Sequence, residues 1–228
     1  MAFGEQCRTV EENPVHLSEK GRPEIIYGDV NVGVKGEDFF VLFSKQEGGI
    51  VSLVYDGREW AYRPMMPAYW RATTDNDKGN KFSVASSMWY GAGLFHGYSN
   101  ENFKIEELDH TVRVTYVYKL TTVPVTETTV IYEVDCDGKI LVTAKYHGKK
   151  GLPQLPAFGM RLWIPDLADS FTWYGKGPDE NYSDRCAGAR LGIFTETVEG
   201  NLSRYLVPQE CGNRTGVRRL SVTDKEGK

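Results

Sequence analysis

HTVRVTYVYKL, residues 110–120, places His110, Val112, Val114, Tyr116, Tyr118 and Leu120 on one side of an extended chain. Side chains in a strand alternate between faces with period 2, so this stretch predicts a β-strand with one buried face. The next runs repeat the pattern. TTVIYEV (128–134) turns Val130, Tyr132 and Val134 inward, and KILVTAKY (139–146) turns Ile140, Val142, Ala144 and Tyr146 inward. Between them DCDGK supplies a turn at Gly138, so the three runs predict an antiparallel meander.

The rest of the chain has the same rhythm. Residues 24–60, EIIYGDVNVGVKGEDFFVLFSKQEGGIVSLVYDGREW, divide into four short β-rich runs punctuated by Gly28, Gly36, Gly48–Gly49 and Gly57. Later runs, AFGMRLWIP, FTWYGKG, ARLGIFTE and VRRLSVTD, are each bounded by Gly, Pro or Asp. Strands this short with turns this regular predict an all-β sandwich or barrel over alternating βαβ units. Only VASSMWYGAGL (84–94) has a helical pattern, and Gly91 and Gly93 are expected to end it quickly. Residues 1 to about 23 are polar and read as a linker or the tail of a preceding unit, leaving 24–228 as the β-domain. VRRLSVTDKEGK closes on a turn straight after a strand-like run, which predicts a sandwich that is incomplete at its C-terminal end.

The chain has 228 residues, 40% of them hydrophobic, enough to fill a globular core. Its net charge is −4 and its pI about 5.7, with Lys and Arg dispersed. No basic stripe is available to neutralise phosphates, so nucleic acid is excluded as a partner. No apolar run approaches the roughly 18 residues of a membrane span, and the N-terminus lacks a charged-then-apolar signal, which predicts a cytoplasmic protein with no membrane partner. Cys7, Cys136, Cys186 and Cys211 form no C-x-x-C pair, arguing against both a disulfide framework and zinc. His16, His96, His110 and His147 show no metal-binding spacing either. Asn181, Asn201 and Asn213 begin N-x-S/T triplets, which carry no glycan without a secretory signal.

Three loops carry the candidate chemistry. In YWRATTDNDKGN (69–80), Asp75 and Asp77 in an extended segment would point the same way, about 6.6 Å apart, as an acid/base pair requires. The competing reading is an Asx-type turn, in which Asp75, Asn76 and Asp77 satisfy backbone amides and Gly79 closes the turn. A calcium loop fails on spacing. WYGKGPDENYSDR (173–185) is a strand followed by a rigid loop holding Glu180, Asn181, Tyr182, Asp184 and Arg185, whose acids and arginine are offered either to sugar hydroxyls or to internal ion pairs. VPQECGNRTGVRRL (207–220) presents Glu210, Asn213, Arg214 and Arg218. Glu210 reads either as a general base or as an anchor for Arg185 or Arg214. Trp70, beside the first loop, reads as a sugar platform or as core.

WRATTDNDKGN, WYGKGPDENYSDRCAG and VPQECGNRTGVRRL together resemble, in order and spacing, the signatures of the C-terminal domain of bacterial β-galactosidases of glycoside hydrolase family 2. That region is a separate small subunit in some bacteria. The resemblance covers about residues 24–222, and AFGEQ near the start resembles the last strand of a preceding immunoglobulin-like domain. It implies a large antiparallel supersandwich of the galactose mutarotase-like kind, packed against a TIM-barrel domain that carries the nucleophile and acid/base glutamates. The partners it implies are those catalytic domains, on the same chain or a large subunit, with a galactoside such as lactose as indirect partner. By the same resemblance this chain has no catalytic residue and no cofactor of its own, a metal ion being expected in the catalytic domain, and alone it is inactive. The implied pocket-wall residues are Trp70, Arg71, Asp75, Asn76, Asp77, Gly79, Glu180, Asn181, Glu210 and Asn213, with the loop from Gly79 to about Trp89 towards the active-site mouth. A late GG-D-SWG-like segment of the family, whose tryptophan lines the sugar site, has no counterpart here. Two alternatives remain at this point: a free-standing mutarotase-like enzyme with Glu210 or an Asp of the TDND turn as base, and a carbohydrate-binding module using Trp70, Trp89 and Trp173.

Overall fold

A computed structural model describes residues 16–95, 97, 102–165 and 168–227. The first 15 residues, with Cys7 and the AFGEQ stretch, and also His96, lie outside the described residues. Five strands come first, β1 (Glu24–Tyr27), β2 (Asn31–Lys35), β3 (Phe39–Ser44), β4 (Gly49–Tyr55) and the two-residue β5 (Arg58–Glu59), pairing in sequence order as one antiparallel sheet. β6 (Arg63–Ala68) follows, then three short helices, α1 (Asp75–Gly79), α2 (Phe82–Ala85) and α3 (Met88–Leu94). A second antiparallel sheet holds β7 (Phe103–Glu107), β8 (Thr111–Leu120), β9 (Thr126–Asp135) and β10 (Ile140–His147) in the order β10-β9-β8-β7. β11 (Gly159–Trp163) returns to β6, and β12 (Ser170–Gly177) lies between β13 (Arg190–Thr197) and β14 (Arg219–Thr223). The described chain is thus all-β and antiparallel, as the alternation predicts.

The core forms where the first two sheets face each other. Val112, Val114, Tyr116 and Tyr118 of β8, with Val130, Tyr132 and Val134 of β9, are fully buried against Val34, Val41 and Phe43. The Phe43 and Tyr132 rings meet edge to face at 5.5 Å. Tyrosine in an apolar core needs a partner for its hydroxyl. Tyr116 donates to the Ser44 carbonyl at 3.0 Å and Tyr118 to the Gly48 carbonyl at 3.3 Å, so both phenols pin the β3–β4 turn. Gly49 in that turn has φ +124°, and a Cβ there would lie 2.4 Å from the Met65 carbonyl oxygen. No other residue fits.

At the end of β9 the Asp135 side chain is completely buried. Its oxygens accept the amides of Ser18 at 2.7 Å, Asp137 at 3.0 Å and Lys139 at 2.9 Å. One carboxylate therefore builds the β9–β10 turn and also ties part of the polar leader to the sheet.

Four expectations need correction. His110 is exposed, not inward, because β8 begins at Thr111 and a tight turn closed by Leu108 N to Thr111 O puts His110 outside it. The helix expected over 84–94 is two helices. Ser86 between them is buried and donates to the Gln154 carbonyl, and Trp89 Nε1 donates to the Pro153 carbonyl, so packing against 153–154 sets the break. Gly91 and Gly93 lie inside α3 and do not end it; the helix closes when Phe95 N bonds the Gly91 carbonyl. The strands β6 and β7 were not anticipated. β6, RPMMPA, contains Pro64 and Pro67, which cannot donate to a ladder, and it is accommodated because it pairs along one edge only, with β11.

Candidate functional site

The TDND stretch is neither extended nor an open turn. Thr74 caps α1: its hydroxyl accepts the Asp77 amide at 3.2 Å while Asp77 Oδ2 accepts the Thr74 amide at 2.8 Å. This reciprocal pair satisfies two amides that a helix start leaves without partners. The helix separates the two acids. Asp75 is exposed and pairs with Lys78 at 3.2 Å, whereas Asp77 is buried and grips Arg71 through both oxygens at 2.5 and 3.2 Å. The hydrogen bonds from Arg71 hold the Asp77 carboxyl below the usual carboxylate range, against the effect of burial. A carboxylate so paired is a poor proton donor, and the two acids do not form the same-side pair that an extended segment would give; of the competing turn reading, Asp77 does satisfy a backbone amide, that of Thr74.

Gly79 also departs from expectation. It is the last residue of α1, its φ is not left-handed, and a Cβ there would meet nothing within 4 Å. Gly79→Ala is therefore expected to raise stability slightly, by about 0.5 kcal/mol from the lower helix cost of alanine, measured as an increase in Tm. A marked drop in Tm would refute this assignment.

The loop after β12 is organised by Glu180 and Asn181. Glu180 accepts from the Gly212 amide at 2.7 Å, the Ser203 hydroxyl at 2.8 Å, Arg185 Nη2 at 2.6 Å and the Tyr205 hydroxyl. Burial would raise its carboxyl, but these bonds outweigh burial and pull it down to about 2. Asn181, nearly fully buried, accepts the Thr215 amide and hydroxyl and donates to the Lys176 and Asp179 carbonyls. Its own backbone exchanges hydrogen bonds with Asn213 at 2.8 and 2.7 Å. Loop 207–218 in turn docks on α1: the Glu210 amide reaches the Thr73 carbonyl at 3.0 Å, Gln209 Oε1 accepts the Asp75 amide at 2.9 Å, and Lys78 Nζ donates to the Pro208 carbonyl.

The three loops thus meet around one polar cleft of about 690 Å³, with Arg71, Asp75, Asn76, Asp77, Glu210 and Asn213 in its wall. Glu180 and Asn181 stand behind it as the ties between loops. Glu210 faces Arg71 across it, and burial, helped by the charges of Glu180 and Asp77, raises its carboxyl despite that arginine. It anchors neither Arg185, which pairs with Glu180, nor Arg214, whose guanidinium sits 4.8 Å over the Trp173 ring.

This loop arrangement belongs to a sequence that matches a known family over most of its length. The family described as β-galactosidase small chain matches residues 35–227. The chain belongs to the β-galactosidase small-chain family. It is 42% identical to a β-galactosidase of Halalkalibacterium halodurans over 230 residues, covering 100% of this chain and 22% of that protein. A β-galactosidase of Clostridium acetobutylicum is 45% identical over 197 residues, covering 86% of this chain and 22% of the relative. The β-galactosidase small subunit of Latilactobacillus sakei is 41% identical over 209 residues, 84% of this chain and 65% of that subunit. This small-chain domain therefore spans about a fifth of the whole β-galactosidases it matches.

Within the small-chain domain, two expected site residues lie away from the cleft. Gly79 is absent from its wall, and Trp70 lines a separate groove with Tyr90, Arg161 and Trp163, where its ring meets Tyr90 at 5.7 Å. Trp89 and Trp173, 1% and 2% exposed, are core side chains with no face free for a sugar ring. Among the described residues no histidine lines the cleft, so the acid that would accompany a mutarotase base is not supplied there. Sequence reasoning passed over Tyr182. Its hydroxyl is buried at the cleft wall without a well-formed hydrogen bond, meeting only the Asn213 amide, and burial with the nearby Glu180 and Glu210 charges outweighs that amide and pushes it up to about 12. Its position between Asn181 and Asp184 in an acid-amide loop was the available signal.

Proposed function

We infer that this chain is a non-catalytic part of a β-galactosidase, acting with catalytic domains carried on the same polypeptide or on a large subunit. In this reading the whole enzyme hydrolyses terminal β-D-galactosides such as lactose, and the three-loop end of this domain shapes a wall of the active site. The observation that carries it is the family match over residues 35–227, which includes all three loops that converge on the cleft. The nucleophile, the acid/base and the implied metal ion belong to the catalytic domains. Among the described residues no three His, Cys, Asp or Glu side chains are placed to hold a metal, so no step is assigned to one here. The cellular site in this reading is the cytoplasm. No described helix is long and apolar enough to cross a membrane.

Mixing this chain with a β-galactosidase lacking its small-chain domain should restore cleavage of a chromogenic β-galactoside, saturating with added chain. No gain across a wide range of ratios sinks the proposal. In the reconstituted enzyme Asp77→Ala should raise KM more than it lowers kcat, because it loosens the wall and leaves the reacting groups in place. An unchanged Tm with a drop in kcat of about a thousandfold would instead make Asp77 catalytic.

A further inference from the structure

A groove of about 420 Å³ lies between α3 and the β6–β11 pair, apart from the three-loop cleft. Arg161 and Trp163, two residues apart on β11, fall on one face of the strand. The ladder sets Met66 opposite Arg161 and Arg63 opposite Trp163, and all four line the groove. Trp70, just past the end of β6, meets the half-exposed Tyr90 ring of α3 edge to face at 5.7 Å. Three aromatic side chains and two arginines therefore share one wall.

Those arginines are held by rings and not by carboxylates. The Arg161 guanidinium lies 5.5 Å over the Trp163 ring and gives one hydrogen bond, at 3.2 Å, to the Trp70 carbonyl. The Arg63 guanidinium lies 5.5 Å over the Tyr62 ring. Neither forms an ion pair with any described residue. A guanidinium has five N–H donors, so most of them are left to meet a ligand.

Charge and shape together narrow the ligand class. Two guanidinium groups against the single carboxylate of Glu47 make the groove electropositive, which disfavours a cation. A bare anion gains little, because both arginines are exposed and an ion pair there is screened by water and salt. A neutral ring or sugar leaves the charge unanswered. A flat ring carrying its own anionic group answers both, with its face or edge against the aromatic side chains and its oxygens on the guanidinium forks.

We propose that this groove binds an aromatic anion, a six-membered ring bearing a carboxylate or a phosphate, with the ring against Trp70, Tyr90 and Trp163 and the anion at Arg63 and Arg161. The binding needs only this chain, so it goes beyond the proposed role with a catalytic partner and stands or falls separately from it.

The test is titration calorimetry of the full chain at low salt with phenyl phosphate, benzoate, inorganic phosphate, benzylamine and D-galactose. Saturable binding of phenyl phosphate or benzoate in the millimolar range is expected, weakening as salt is raised, and the tighter of the two identifies the anionic group. The other three probes should bind about tenfold more weakly or not at all. Arg63→Gln should weaken binding about threefold or more, the size of one exposed ion pair. Gly93 lines the groove from α3, and a Cβ built on it meets nothing within 4 Å. Gly93→Leu should therefore leave the Tm no lower, leucine being the better helix former, while its side chain fills the groove and abolishes binding. If Gly93→Leu does lower the Tm, the exposed Arg63→Gln decides alone. Absence of saturable binding of both aromatic anions overturns the proposal. So does binding that the variants leave unchanged, or binding of benzylamine or galactose as tight as that of the aromatic anions.

Discussion

Glu180→Ala is expected to destabilise the chain by about 3 kcal/mol, because it strips the loop after β12 of the acceptor shared by Gly212, Ser203, Arg185 and Tyr205. Part of that loss depends on pH. A fall in the carboxyl from 4.5 to about 2 corresponds at face value to about 3 kcal/mol, which solvent screening at the loop surface trims to about 2. Since the folded value lies below the unfolded one, this contribution is fully present above the ordinary carboxylate range. It is lost as pH falls from about 5 towards 2. Glu180→Gln keeps the size and most of the geometry but removes the titration. Its stability curve should therefore be flatter than that of the parent chain across this acid range. Parallel curves for the two proteins, measured by urea unfolding at stepped pH, would show that the bonds to Glu180 do not favour its ionised form.

Asp135→Ala should cost about 4 kcal/mol. Three backbone amides, those of Ser18, Asp137 and Lys139, lose their acceptor at a fully buried position, and each donor left without a partner costs about 1–3 kcal/mol. The loss is spread over the β9–β10 turn and the leader together. Asp135→Asn, which keeps one acceptor oxygen, should fall between the two. The midpoint of urea unfolding reads the difference directly, and a change below about 1 kcal/mol for the alanine variant would mean that water replaces the carboxylate.

The parts of this fold that depend on period 2 were legible in the sequence. Val112, Val114, Tyr116 and Tyr118 lie on one face because a strand has no other way to arrange them, and all are buried as the alternation requires. β7, FKIEE, offers only Phe103 and Ile105 on its apolar side, too short a pattern to stand out from its charges. β6 is masked by two prolines, which argue against a strand unless one knows that only one of its edges is paired. In the site, the signal for α1 was present but went unread. Thr74 with Asp77 three residues on is a helix-start pattern, with aspartate in place of the more usual glutamate. The roles of Glu180 and Glu210 were beyond reach, because what separates a depressed carboxyl from a raised one is the set of neighbours each meets. For Glu210 they include Arg71 from a loop more than a hundred residues earlier, and for Glu180 they come from Arg185 in its own loop and from Ser203, Tyr205 and Gly212, up to 32 residues further on. For the same reason Tyr182 was passed over: only the folded loops bury its hydroxyl beside Asn213, Glu180 and Glu210.

The ties among the three loops run largely through main-chain groups: the Glu210 amide to the Thr73 carbonyl, the Asn181 amide to the Asn213 carbonyl, the Gly212 amide to Glu180 and the Thr215 amide to Asn181. A peptide group is common to nearly every residue, so side chains such as Cys211 and Ser183 are free to change while these ties persist. Chain length is not free in the same way, since one inserted residue between Pro208 and Thr215 would move the amides away from their acceptors on both neighbouring loops. A protein engineer can therefore recolour this end of the molecule at the positions whose side chains take no part in the ties, leaving Asp77, Glu180 and Asn181 in place. Transplanting it to another scaffold requires moving all three loops as one piece.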